Sequence, residues 1–246
     1  MLIQASAPEA PVRKETPVRL SRIIVLFCFL LLSGVAAFSQ QDYVARYDLF
    51  GSYSFLSTPK LNLFERGFNA EFGVNMRSWL ALGGDFSTFD GHSSLFPNQL
   101  SPADQTELAA FAPLIPAGYT VYAPYNTRTY TFTAGPQINI RKLKQVTFFV
   151  RPSIGGLHQA ATARPIDPIQ TAIVGALLGS SMKKSDLVLF YGFGGGMDLN
   201  FSKHVALRMG VDFVHTDLFS GLLNGGENNV RFSVGPTLRW GKNILK

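Results

Sequence analysis

An all-β fold, an eight-stranded antiparallel up-and-down transmembrane β-barrel with long external loops, is predicted by three observations. Eight segments alternate apolar and polar residues one by one, their connections are long and short in turn, and Lys and Glu are almost absent from the segments. Successive side chains of a strand point to opposite faces, so a wall between lipid and a polar interior must alternate in this way.

Each segment can be read by face. In the first, Tyr47, Leu49, Gly51, Tyr53 and Phe55 oppose Arg46, Asp48, Ser52 and Ser54, with Phe50 as an exception. In the second, Phe68, Ala70, Phe72, Val74 and Met76 oppose Gly67, Asn69, Glu71, Gly73 and Asn75. The third sets Leu80, Leu82, Gly84 and Phe86 against Ala81, Gly83, Asp85 and Ser87. The fourth sets Tyr130, Phe132, Ala134, Pro136, Ile138 and Ile140 against three threonines, Gly135, Gln137 and Asn139. In the fifth, Phe148, Val150, Pro152 and Ile154 oppose Thr147, Arg151, Ser153 and Gly155, and Phe149 breaks the pattern. The sixth opposes Leu189, Tyr191, Phe193, Met197 and Leu199 to Gly192, Gly194, Gly196, Asp198 and Asn200. The seventh opposes Val205, Leu207, Met209, Val211 and Phe213 to Arg208, Gly210 and Asp212; the eighth opposes Val230, Phe232, Val234, Pro236, Leu238 and Trp240 to Arg231, Ser233, Gly235, Thr237 and Arg239.

Arg77-Ser78, residues 141–145 and residues 202–204 form the short connections; residues 56–65, 90–128, 159–186 and 216–229 form the long ones. Outer-membrane barrels keep periplasmic turns short and let external loops grow, and an even strand number returns both termini to the periplasmic side. A soluble β-sandwich also alternates, but its outward face would carry Lys and Glu, and it needs no such loop asymmetry. A lipocalin-like barrel has the opposite sense, apolar inside and polar outside.

The N-terminal segment is a separate matter. Arg13, Lys14, Arg19 and Arg22 precede an apolar run from Ile23 to Leu32, followed by the small residues Ser33, Gly34, Val35, Ala36 and Ala37. This order marks a secretory signal, with cleavage after Ala37 or, preferably, Ser39, and the run is shorter than the ~20 residues of a membrane helix. Residues 1–39 are thus expected to be a signal peptide and residues 40–246 the barrel domain. The remaining chain carries 18 basic and 14 acidic residues, a net charge of +4, and no cysteine, since Cys28 is the only one. Phe27 before Cys28 is too large for a lipoprotein signal.

Three stretches carry a resemblance: Asp48-Leu-Phe-Gly-Ser-Tyr-Ser-Phe55, Tyr130-Thr-Phe-Thr-Ala-Gly-Pro136, and Gly194-Gly-Gly-Met-Asp-Leu-Asn200 leading into Ser202-Lys-His-Val-Ala-Leu-Arg208 and Val211-Asp-Phe213. With them the chain resembles the small eight-stranded outer-membrane β-barrel family, the OmpA/OmpX-like outer membrane protein beta-barrel domain. The resemblance implies a place in the cell outer membrane and no single activity. Two features depart from it. No peptidoglycan-binding domain is expected after the barrel, and the expected C-terminal aromatic is Trp240 rather than the last residue, which bears on reading by the barrel-assembly machinery.

The inward face carries Arg46, Arg151, Arg208, Arg231 and Arg239 against Asp48, Glu71, Asp85, Asp198 and Asp212. An eight-stranded barrel has room for side chains rather than a wide channel, so these charges are expected to pair as a filled interior. The alternative is a narrow porin or small-solute path in which pairs exchange partners. The Gly192–Gly196 cluster lacks the following helix of a phosphate loop and instead suits close packing or a bend in the wall.

In the long connections, Ser101-Pro102-Ala103-Asp104 has the form of a helix start and Pro113 the form of its stop. Asp167-Pro168 opens a second helix that is apolar nearly all round and closes at Gly179. Such a helix should not stand free in water. Ile173, Val174, Leu177 and Leu178 are therefore expected to cover the barrel mouth, dock on the outer leaflet or meet a partner. Lys183 and Lys184 after it are candidates for lipopolysaccharide phosphates, beside the plainer reading of a solvated pair. A third reading, a lipid-modifying outer-membrane enzyme, would need His92, His158 or His215 to converge with a serine and a carboxylate. No histidine pair has metal-ligand spacing, and no cofactor is expected. The leading expectation is a non-enzymatic barrel with an envelope-structural or surface-interaction role. Its expected partners are membrane lipid, lipopolysaccharide, the assembly machinery and an unidentified surface ligand, and not nucleic acid.

Overall fold

The computed structural model describes residues 41–245. The expected signal peptide lies outside the described residues. Eight strands, β1 (Ala45–Thr58), β2 (Leu63–Asn75), β3 (Leu80–Leu95), β4 (Ala123–Ile140), β5 (Val146–Ala163), β6 (Lys183–Asn200), β7 (Val205–Thr216) and β8 (Glu227–Asn243), follow one another round a closed barrel. Every neighbouring pair is antiparallel, and β1 pairs with β8 to close the ring, so no sheet edge is left open.

The alternation read from the sequence becomes two surfaces. Leu49, Phe72, Leu82, Phe86, Phe132, Ile138, Val150, Ile154, Phe193, Phe213 and Leu238 are exposed on the outer wall, while the polar residues between them are buried in the lumen. Water would not tolerate so broad an apolar belt on a monomer. Hydrocarbon would. Tyr47 stands beside both Phe72 and Trp240 near one rim, with ring centroids 6.2 and 6.0 Å away. Aromatic side chains of this kind favour the boundary between hydrocarbon and water.

Three differences from the sequence reading have physical causes. First, β3, β4, β5 and β6 extend well past the limits set by strict alternation, into residues assigned above to loops. A strand needs only about 9–11 residues to cross hydrocarbon. Beyond that height the outward side chain is polar, as at His92, Asn126 and Lys183, so the alternation disappears while the hydrogen-bonded ladder continues. Second, Phe50 and Phe149 keep their strand parity and are buried in the lumen rather than breaking the wall.

Third, Arg46 does not join the interior. Ala45 pairs with Asn243 and Tyr47 with Trp240, so β8 advances three residues while β1 advances two. This bulge is accommodated by Gly241, whose φ of +98° favours glycine. It gives the buried position to Ala45 and turns Arg46 part-way to solvent. Among the described residues Arg46 forms no ion pair.

Short turns at residues 76–79, 141–145 and 201–204 lie at one end, called here the turn end. The opposite, loop end carries two helices, α1 (Pro102–Ala110) and α2 (Pro168–Leu178), and three single 3₁₀ turns. Ser101 caps α1, its Oγ accepting from the Asp104 amide at 3.3 Å and donating to Asp104 Oδ2 at 2.6 Å. The helix stops at Ala110, slightly before the expected limit, and a 3₁₀ turn, Ala112–Leu114, follows it.

Candidate functional site: a paired lumen beneath an apolar cap

The lumen is filled by one continuous ion network. Asp198 accepts two bonds from Arg208, at 2.8 and 3.1 Å, and a further one from Arg239. Arg208 also reaches Glu71 at 2.6 Å, and the second oxygen of Glu71 takes Arg151 at 2.5 Å. Arg151 continues to Asp212 at 3.2 Å, which Arg231 meets at 2.9 Å, and Arg231 grips Asp85 through two nitrogens at 2.7 and 3.0 Å. Asp48 lies at the margin, 3.9 Å from Arg208, and accepts a bond from Asn75 at 2.9 Å. Nine of the ten charged residues assigned to the interior are thus brought together.

A cation from a turn borders the lumen as well, held by neutral acceptors rather than by an ion pair. Arg141 reaches in from the turn end, donating to the Ser78 carbonyl at 2.8 Å and to Asn75 Oδ1 at 3.0 Å. Burial, reinforced by the charge of Arg239, lowers its pKa to about 10. The only sequence signal for it was a basic residue immediately after a strand whose inward positions are polar.

Phe50 and Phe149 lie within the network, beside its arginines. The Arg208 guanidinium lies 5.4 Å from the Phe50 centroid and 5.0 Å from that of Phe149, and Arg151 also faces Phe149, at 5.9 Å. Cation–π contact compensates part of the desolvation of a side chain that is only 2% exposed. The aromatic residues that interrupted the alternation are therefore cation platforms.

Gly194 makes room for the same network. A Cβ built there would lie 1.8 Å from Asp212 Oδ1, so only glycine lets the carboxylate settle between Arg151 and Arg231. Gly194→Ala is expected to lower unfolding free energy by about 1–3 kcal/mol, the usual effect of overpacking a filled interior. Urea unfolding in lipid vesicles measures it.

Above the charges the lumen changes character. Ser54 and Ser233 pair at 2.8 Å, and Asn69 joins Ser87 at 2.9 Å. Glu65, fully buried, accepts from Thr127 at 2.5 Å and from Thr129 at 2.9 Å, and Gln159 is 3.5 Å away. The sequence pattern puts Glu65 in the first long connection, but it belongs to β2, because that connection is only a 3₁₀ turn, Pro59–Leu61.

An apolar cap closes the loop end. Leu63, Leu157, Phe190 and Val214 from the wall meet Leu61 from the first loop, Leu100 and Leu108 from the second long loop, Ile173 from α2, and Leu218, Phe219, Leu222 and Leu223 from the last loop. Ile173 and Val174 are buried, and Leu177 and Leu178 pack partly buried against the cluster, so α2 lies over the mouth. Asp167 caps this helix, accepting from the Gln170 amide at 2.8 Å and from the Tyr119 hydroxyl at 2.7 Å. The Tyr119 bond, followed by that amide, holds the Asp167 carboxyl below its ordinary range, and it raises the Tyr119 hydroxyl. Backbone bonds from Ser101 to Leu222, 2.8 Å, and from Asn224 to Gln99, 3.1 Å, lace the loops together. A cavity of about 70 Å³ remains inside the cap, with Lys184 in its lining.

Lys183 and Lys184 do not act as a pair. They belong to β6, so their side chains take opposite faces: Lys184 borders the cap cavity and Lys183 an outer groove. The histidines are also dispersed. His158 stacks on Tyr130 with centroids 6.5 Å apart, and His215 contacts Asn228 at 2.9 Å and Asp217 at 3.6 Å. Ser93 donates to the Leu61 carbonyl at 3.1 Å, while Asp90 is held by Arg128 at 2.7 Å. Among the described residues no histidine ring hydrogen-bonds to a serine hydroxyl, and no cluster of three or more His, Cys, Asp or Glu has metal-site geometry.

Fold and lumen define a class: a closed, side-chain-filled eight-stranded barrel with an apolar outer belt. Solved structures of similar architecture include Ail, the attachment invasion locus protein of Yersinia pestis, in complex with the heparin analogue sucrose octasulfate. It has 15% identity and a TM-score of 0.44, covering 79% of this chain and 96% of that one. Neisserial surface protein A has 11% identity and a TM-score of 0.46, with 79% and 96% covered. The outer membrane protein OprG from Pseudomonas aeruginosa has 8% identity and a TM-score of 0.45, with 82% and 99% covered. These neighbours are small eight-stranded outer-membrane barrels. No protein-family model matches the chain, and no curated protein matches it. What the protein does is therefore read from its own residues.

Proposed function

We propose that this protein is a non-enzymatic, non-conducting barrel of the cell outer membrane that presents its capped loop end outside the cell as an interaction surface. The observation that carries this reading is the double closure of the lumen, by a continuous ion network below and by an apolar cap above. A path for solutes would have to break several buried ion pairs at once, each costly to separate in low dielectric. The loops, by contrast, are held in one arrangement by their own core, which suits a surface that meets partners without ordering at each encounter.

Orientation can be tested because the chain after residue 39 contains no cysteine. A cysteine placed at Ala109, exposed on α1, is expected to react on intact cells with a membrane-impermeant maleimide. One at Ser202, exposed in a turn, is expected to react only after the cells are opened. Labelling of Ser202→Cys on intact cells, or protection of Ala109→Cys, would reverse the orientation and remove the surface role.

A further inference from the structure

The outer wall changes chemistry abruptly towards the loop end, and only on one side of the barrel. Register places Ala70, Phe86, Phe132, Gly156 and Leu189 side by side across β2 to β6, an entirely apolar row. Four residues further along each strand the corresponding row is Arg66, Asp90, Arg128, Ala160 and Ser185. His92 and Lys183 stand one row higher. Arg164 joins them, its amide donating to the Pro124 carbonyl at 2.7 Å so that it lies against β4.

These side chains border an open groove of about 530 Å³ on the outside of the wall. That lies within the range of about 300–1,000 Å³ typical of ligand clefts. Its charge is one-sided. Asp90 answers Arg128 at 2.7 Å, but among the described residues Arg66, Arg164 and Lys183 form no ion pair. Three arginines offer planar forks suited to phosphate oxygens, and Lys183 adds a point charge.

We propose that this groove binds the phosphate groups of a phosphorylated glycolipid of the outer leaflet. The inference rests on the outer-membrane reading above and adds a ligand and a site to it. The position selects a lipid rather than a soluble anion: the cations begin where the apolar belt ends, the height at which a neighbouring lipid, its chains against Phe86 and Phe132, presents its headgroup. Lys183 contributes from this face without Lys184, which is turned inward.

The test uses the refolded barrel in vesicles containing diphosphoryl lipid A, extracted gently and examined by native mass spectrometry. Wild type is expected to retain the lipid. The R66Q/R128Q/R164Q/K183Q variant is expected to retain at least about tenfold less, since each cation near an anionic surface adds to binding. A control with as exposed a set of charges removed at the turn end, K142Q/K144Q/K203Q, is expected to match wild type. Equal retention by the quadruple variant, equal loss in the control, or equal retention of the dephosphorylated lipid would overturn the proposal. Displacement by inorganic phosphate or a sulfated polysaccharide at matched anion concentration would overturn the choice of a lipid. Folding is checked by mobility of the unheated protein on gels, and the single variants R66Q and R128Q, read in the same assay, replace a quadruple variant that fails to fold. Cysteine labelling reports orientation without reference to lipid retention, so failure of one reading is distinguishable from failure of the other.

Discussion

Arg208→Ala is expected to lower the free energy of unfolding in lipid vesicles by about 3–5 kcal/mol, because it leaves buried carboxylates without their cation. Arg208 holds Asp198 through two bonds and Glu71 through one, and it lies between the rings of Phe50 and Phe149. Truncation therefore removes charge, donors and packing together. Methionine, closer in volume, should restore little, since the unpaired carboxylates remain. In the double variant R208M/E71Q the loss should be clearly smaller than the sum of the two single losses, because contacting members of one network are coupled. Strict additivity in urea titrations would show that Arg208 and Glu71 do not depend on each other.

Phe219→Ala is expected to open the cap and leave the barrel standing. Phe219 is buried among the cap leucines and held at φ +50°, a left-handed conformation that bulky residues rarely adopt. Its amide donates to Asp186 Oδ2 at 2.7 Å, tying the last loop to β6. Removing a buried phenylalanine side chain typically costs about 3–5 kcal/mol. Here that loss falls on a cluster of loops, so it should appear as local opening rather than global unfolding. Amide exchange in α2 should accelerate by about two orders of magnitude while the urea midpoint of the strands stays in place. Unchanged exchange in α2, or collapse of the strands with it, would show that cap and barrel are not separable in this way.

The strands were legible because a lipid-facing wall imposes a period of two, and the interior charges followed from parity alone. What parity missed has local causes. Arg46 left the lumen because a bulge at Gly241 shifts the register by one residue, and no alternation pattern reveals a shift at the end of a strand. Arg141 entered the lumen from a turn, where neither face is defined. Phe50 and Phe149 looked like errors in the pattern because hydrophobicity alone cannot distinguish a lipid-facing ring from one placed beneath a guanidinium. The cap was half visible. The apolar, capped sequence of α2 required a cover, but Leu218, Phe219, Leu222 and Leu223 have no helical or strand period, and their contribution depends on four loops meeting at one end. The outer groove was least visible, because Arg66, Arg128, Arg164 and Lys183 are dispersed along the chain and only register aligns them.

The central claim is that the lumen is closed by its own paired charges, with the cap as a second barrier. Planar-bilayer recording of refolded residues 40–246 tests it most directly, with wild type and Phe219→Ala measured side by side. Both are expected to remain silent, since opening the cap leaves the network below intact. Steady single-channel steps from the wild-type protein would contradict the claim and establish a conducting path through the barrel.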